Sequence, residues 1–150
     1  MIQRIQSLYL FAGIVLAAAI LFSGLFFVSN GTENMIVGAF GIKEGALVVD
    51  YPTTLPIIVL AVAMILTQGY AFSQFKNRPL QVTLVKLNML LCVLTIGYIG
   101  FEFYSFSSQD LKVMPFIGVF HSPLLLFSNF LALRGINKDE ALVKSVDRLR

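Results

Sequence analysis

Leu80–Phe101 reads LQVTLVKLNMLLCVLTIGYIGF, and this stretch decides the class of the fold. It carries one charge, Lys86, and no proline. At about 1.5 Å of rise per residue it is long enough to cross about 30 Å of hydrocarbon as a helix. Three further stretches match it, Leu8–Val28, Leu55–Phe72 and Val113–Leu133. Together they predict an all-α membrane protein, a bundle of four transmembrane helices spanning 8–28, 55–72, 80–101 and 113–133. The 150 residues form one domain, with an external loop at 29–54 and a cytoplasmic tail at 134–150. The composition agrees: 57% of residues are hydrophobic, mean hydropathy is +0.84, and only 13% are charged, against about 25% in soluble domains.

Charge distribution predicts an orientation. Nine of the eleven Lys and Arg are Arg4, Lys76, Arg78, Lys86, Arg134, Lys138, Lys144, Arg148 and Arg150. They lie at the N-terminus, between or just inside spans two and three, and in the tail. The other two connecting segments hold only Lys43 and Lys112. Basic loops remain cytoplasmic, so both termini are expected in the cytoplasm of a bacterial inner membrane. Because the basic residues follow the spans instead of forming a patch, nucleic acid is not expected as a partner. The expected partners are the lipid bilayer and other membrane subunits.

The connections carry their own signals. Met35-Ile36-Val37 and Ala46-Leu47-Val48-Val49, separated by Gly41–Gly45, predict a β-hairpin outside the membrane. Pro79 suits the first turn of span three, after a tight turn at Phe75-Lys76-Asn77-Arg78. Pro123 is expected to kink span four from within. Asn137 followed by Glu140 resembles a helix-start pair. Leu142, Val146 and Leu149 then recur at helical spacing beside Arg148, predicting a short C-terminal amphipathic helix that lies on the membrane surface or against the bundle, or docks a partner. Ala17-Ala18-Ala19 resembles a signal-peptide cleavage site, but the apolar run continues to Val28 and is read as a retained span.

Candidate chemistry is sparse. Cys92 is the only cysteine, which excludes an internal disulfide or a Cys-x-x-Cys pair. His121 is the only histidine, and no metal site, cofactor or catalytic constellation is predicted. Polar residues inside spans are the remaining candidates. Gln68, Asn88 and Asn129 fall at comparable depth near the cytoplasmic side and predict an interhelical polar layer. Such hydrogen bonds are worth about 0.6 kcal/mol each in membrane bundles. Glu102 and His121 are the candidate proton-sensitive pair. Small residues spaced along span one (Gly13, Ala17, Gly24) and span two (Ala63, Thr67, Ala71) predict close helix approach.

The ends of the chain carry a resemblance. Met1-Ile2-Gln3-Arg4-Ile5-Gln6-Ser7-Leu8-Tyr9-Leu10 and Lys138-Asp139-Glu140-Ala141-Leu142-Val143-Lys144-Ser145-Val146-Asp147-Arg148-Leu149-Arg150 resemble an uncharacterised family of small bacterial four-span inner-membrane proteins, a domain of unknown function. The resemblance implies location and architecture but no reaction. The expected role is a non-catalytic accessory or scaffold subunit of a larger inner-membrane complex, such as export, insertion or envelope-assembly machinery. The alternative is a small solute or proton-coupled transporter.

Overall fold

The computed structural model describes residues 2–29, 31, 34–44, 55–75, 77–108 and 111–147, with backbone alone for 2–5, 42–44 and 143–147. Four helices dominate: α1 (Ile2–Phe22), α2 (Leu55–Ser73), α3 (Arg78–Ser107) and α4 (His121–Asp147). Four short strands accompany them: β1 (Gly24–Ser29), β2 (Asn34–Gly38), β3 (Gly41–Glu44) and β4 (Lys112–Pro115). α2, α3 and the segment Ile117–Leu142 are each long and apolar enough to cross a membrane. α1 ends at Phe22, short of the Val28 expected for the first span.

That shortening corrects the expected first span. Residues 24–28 are strand, not the last turns of a helix. Leu25-Phe26-Phe27-Val28 is a short, unbroken apolar run, and periodicity alone cannot tell a buried strand from a buried helix. Aromatic and β-branched side chains favour the strand. Ser23 closes the helix, its hydroxyl donating to the Ala19 carbonyl at 2.6 Å.

The predicted hairpin is part of a larger sheet. All pairings are antiparallel and the order is β3-β2-β1-β4. Phe27 pairs with Ile36 on one side and Met114 on the other. Val113–Pro115, expected as the start of span four, is therefore strand, and the helical part begins with a 3-10 turn at Ile117–Phe120. β3 occupies residues expected to form the hairpin turn. Ala46–Val49, the expected second strand, lies outside the described residues.

Two corrections concern α4. Pro123 sits in its first turn, where a missing N–H costs little, and not in the helix interior, so the predicted kink has no basis. The tail is not a separate helix either. α4 continues through Gly135 and Asn137 to Asp147, and Asn137 caps nothing.

The bundle follows one rule. Each helix packs on two neighbours, α1 on α2 and α4, and α3 on α2 and α4. Buried positions alternate in steps of four and three: Gln6, Leu10, Gly13, Ala17 and Ile20 on α1, and Ile57, Ala61, Met64, Gln68 and Ala71 on α2. On α3 they run Gln81, Val85, Asn88, Cys92, Thr95, Ile99, Glu102 and Phe106. On α4 they run Ser122, Leu125, Asn129, Ala132, Ile136 and Asp139. This is the spacing by which helices of a coiled-coil-like bundle face one another. The apolar ones form two clusters. One extends from the sheet through Phe26 and Ile57 to Met64 and Cys92. The other joins Leu10, Ala71, Val85, Ala132 and Ile136 at the opposite end.

Candidate functional site

Between the two apolar clusters lies a layer of amides. Gln68 on α2, Asn88 on α3 and Asn129 on α4 are each 0% exposed, and their backbones occupy the inward positions just described. Gln68 Nε2 donates to Asn129 Oδ1 at 2.9 Å. Asn129 Nδ2 donates to Asn88 Oδ1 at 2.8 Å. Asn88 Nδ2 donates to the Met64 carbonyl at 2.8 Å and to Thr67 Oγ1 at 2.7 Å. A longer bond from Gln68 Nε2 to the Leu10 carbonyl, 3.4 Å, brings in α1. The three residues singled out by depth in the sequence thus form one chain touching all four helices.

The direction of this chain is set by its ends. Met64 O and Leu10 O are carbonyls and only accept. Asn88 must therefore present its NH₂ to Met64, which turns its oxygen toward Asn129 and fixes the donor sense back to Gln68. Cys92 packs beside the layer, its Sγ 3.6 Å from Met64 Sδ and 3.7 Å from Asn88 Oδ1. Gln68 Oε1 is left without a partner among the described residues, as is the Ser122 hydroxyl.

Gly13 makes the layer sterically feasible. A Cβ at this position would stand 2.3 Å from Gln68 Nε2 and 3.1 Å from Leu125 Cδ1. The small residues read from spacing therefore divide. Gly13 admits the Gln68 amide. Thr67 accepts from Asn88 while its own hydroxyl donates to Ala63 O at 2.8 Å. Gly24 belongs to β1, where Gly118 lies so close that a Cβ there would meet Gly24 O at 2.3 Å.

The basic end of the bundle has a second polar cluster, which the sequence reading missed. Gln6 Nε2 donates to Asp139 Oδ2 at 2.7 Å, and both residues are buried. Arg78 reaches the Asp139 carbonyl at 3.5 Å. Gln81 Nε2 donates at 3.1 Å to Ala71 O, a carbonyl of the last turn of α2, where helix carbonyls lack intrahelical partners. Ser128 donates to Tyr9 O at 2.8 Å, again joining α4 to α1. Gly135 admits Gln6, since a Cβ there would meet Gln6 Cγ at 2.9 Å. The signal available in sequence was the four-three spacing itself, on which Gln6, Gln81 and Asp139 all fall.

The expected Glu102–His121 pair is not formed. Glu102 is 4% exposed and accepts a hydrogen bond from Tyr98 Oη, one turn earlier on α3, at 2.7 Å. His121 Nδ1 instead lies 3.0 Å from Ile117 O and 3.3 Å from Gly118 O. The histidine opens α4 directly after the 3-10 turn, so its ring folds onto the carbonyls of that turn rather than across to α3. Of the candidate docking residues, Leu142 is half-exposed. Val146 is described as backbone only, and Arg148 and Leu149 lie outside the described residues. Among the described residues no three of His, Cys, Asp and Glu gather closely enough to hold a metal ion.

What the amide layer can do chemically follows from its groups. Carboxamides do not titrate near neutral pH, so the layer is an orienting device and not a proton relay. It fixes the axial register and rotation of four helices against one another, as buried polar residues do at inward positions of helical bundles. Comparisons with curated proteins and with solved structures give no match. Residues 2–149 match the family described as domain of unknown function DUF4293, and the chain belongs to that family.

Proposed function

We propose that the protein is a non-catalytic integral membrane protein acting as an accessory or scaffold subunit of a larger inner-membrane complex, in export, insertion or envelope assembly. Four spans with both termini cytoplasmic complete the reading. α1, at 21 residues, has the rise of about 31 Å needed to cross a bilayer. The N-terminus of α1, the start of α3 and the C-terminal half of α4 meet at one end, where Arg4, Arg78, Arg134 and Lys138 lie, and nine of the eleven basic residues fall in or beside these segments of the sequence. That distribution supports a cytoplasmic assignment.

The observation that carries the scaffold reading is how the interior polar groups are used. Gln68, Asn88, Asn129, Thr67, Gln81, Gln6 and Asp139 bond to one another or to helix carbonyls, which suits a rigid frame. Outward faces are apolar instead. Only 28% of the most apolar window of α2 and of α3 is buried within the chain, and 33% of that of Ile117–Leu142. The rest is free to meet lipid or other subunits. Purification in mild detergent followed by mass spectrometry tests the reading. A stoichiometric partner is expected; a lone protein across several detergents refutes it.

One observation favours a second reading, a small solute or proton-coupled transporter. Glu102 is a buried carboxylate within α3, and intramembrane carboxylates often mark transport pathways. Flux into vesicles discriminates. Wild type and Glu102→Gln should both match empty vesicles if the protein is a scaffold.

A further inference from the structure

We infer that the β2–β3 turn is a membrane-interface anchor, with Phe40 seated in lipid at the far end of α1. Hairpin turns are normally polar, because their tips face water. This one carries Ala39 and Phe40 between paired Gly38 and Gly41. Gly41 has φ +97°, which glycine adopts without strain and which lets the chain reverse so sharply. Ala39 is fully buried, whereas Phe40 is 53% exposed.

Phe40 is not turned toward open solvent at random. Its ring packs against Phe22, centroids 6.3 Å apart and planes tilted by 47°. Phe22 is the last residue of α1 and is 71% exposed. It ends a stripe of exposed residues, Leu8, Phe11, Val15 and Phe22, whose spacing puts them on one face of the helix. In a spanning helix that face meets hydrocarbon. Phe40 extends the same surface by one ring beyond the helix end, from a different element of the fold. Phe40 lacks the polar tip of Trp and Tyr, the usual interface aromatics, so an exposed ring at this level is stabilised by entering the headgroup–acyl boundary, as Phe does on interfacial helices. The sheet therefore lies against the bilayer with its tip inserted, instead of standing in water.

The inference rests on the membrane reading, and one experiment separates the two. The absence of tryptophan from the chain makes single-tryptophan variants unambiguous. Phe40→Trp and Phe22→Trp, in the full chain, are reconstituted into phosphatidylcholine–phosphatidylglycerol vesicles with or without brominated acyl chains. Both tryptophans are expected to be quenched by the brominated lipid and shielded from aqueous iodide. Quenching at position 22 but not at 40 overturns the anchor and leaves the membrane reading standing, whether iodide reaches position 40 or protein covers it. No lipid quenching at either position overturns both. Independently, Phe40→Ser should raise amide hydrogen exchange across residues 34–44 at least tenfold in vesicles. Unchanged exchange there also overturns the anchor.

Discussion

Replacing Asn129 with leucine tests the amide layer most directly. Both side chains branch at Cγ to two heavy atoms, but leucine is the bulkier, so some overpacking adds to the polar loss. Two strong bonds vanish, from Gln68 at 2.9 Å and to Asn88 at 2.8 Å, with a weak one to Cys92 Sγ at 3.8 Å. At about 0.6 kcal/mol each that is roughly 1.2 kcal/mol. The greater loss comes from the groups left behind. Asn88 Oδ1 keeps only the Cys92 thiol at 3.7 Å, a weak donor, and Gln68 Nε2 keeps only its 3.4 Å bond to Leu10. An unsatisfied buried polar group costs about 1–3 kcal/mol. Leucine recovers little, because the lipid it leaves is as apolar as the bundle it enters. The net expectation is a loss of about 2–4 kcal/mol, read from unfolding in mixed micelles titrated with dodecyl sulfate and followed by circular dichroism. Asn88→Leu should behave similarly. The double variant should lose less than the sum of the two, with coupling of about 0.5–3 kcal/mol. Wild-type stability in Asn129→Leu, or strict additivity in the pair, would refute the layer as a stabilising unit.

Glycine substitutions give a paired test. Gly13→Ala places a methyl group 2.3 Å from Gln68 Nε2 and should destabilise by about 1–3 kcal/mol, whereas Gly69→Ala, with nothing within 4 Å, should be neutral or gain up to about 1 kcal/mol from helix propensity; the same titration compares them. Asp139→Leu should speed amide exchange in the last turns of α4 while leaving residues 125–132 protected, and Asp139→Asn, which keeps an acceptor for Gln6, should do so less. Gly118→Ala drives a methyl group into the Gly24 carbonyl and should loosen β1 and β4 together, seen as faster exchange at 24–29 and 112–115. Cys92, fully buried, should resist a membrane-permeant maleimide until the bundle is unfolded, and rapid labelling of the native protein would contradict its placement.

How legible these features were in the sequence depends on the kind of signal each leaves. Helix α3 was plain, since a long apolar run and a proline suited to its first turn agree; its Asn77 cap emerged only from the structure. The layer was readable from depth alone, because residues equally far from one membrane face can meet. The four-three spacing was harder to see. Soluble bundles announce it by apolar residues on a polar background. Here Leu90, Val93, Leu94 and Phe101 cover the outside, while Gln81, Asn88, Thr95 and Glu102 share the inside with Val85, Cys92 and Ile99. The contrast is weak and partly reversed, so hydropathy shows spans without faces. β1 was hidden for a different reason: an apolar strand abutting an apolar helix leaves no boundary in composition, and its partner β4 lies far along the chain. The Glu102–His121 pair failed because the 3-10 turn, invisible in the sequence, decides where the histidine points.

The pairing of β1 with β4 has a consequence for biogenesis. β1 emerges directly after the first helix, yet its second neighbour belongs to the connection between the third and fourth. Closing a loop of that length costs entropy that only later contacts offset. Until Lys112–Pro115 arrives, one edge of β1 remains an open template for any passing strand. On the membrane reading proposed above, the clasp shuts only after the third helix has delivered that connection to the same side as β1. A chain stalled before that point would expose an apolar, unpaired strand edge, a template for aggregation.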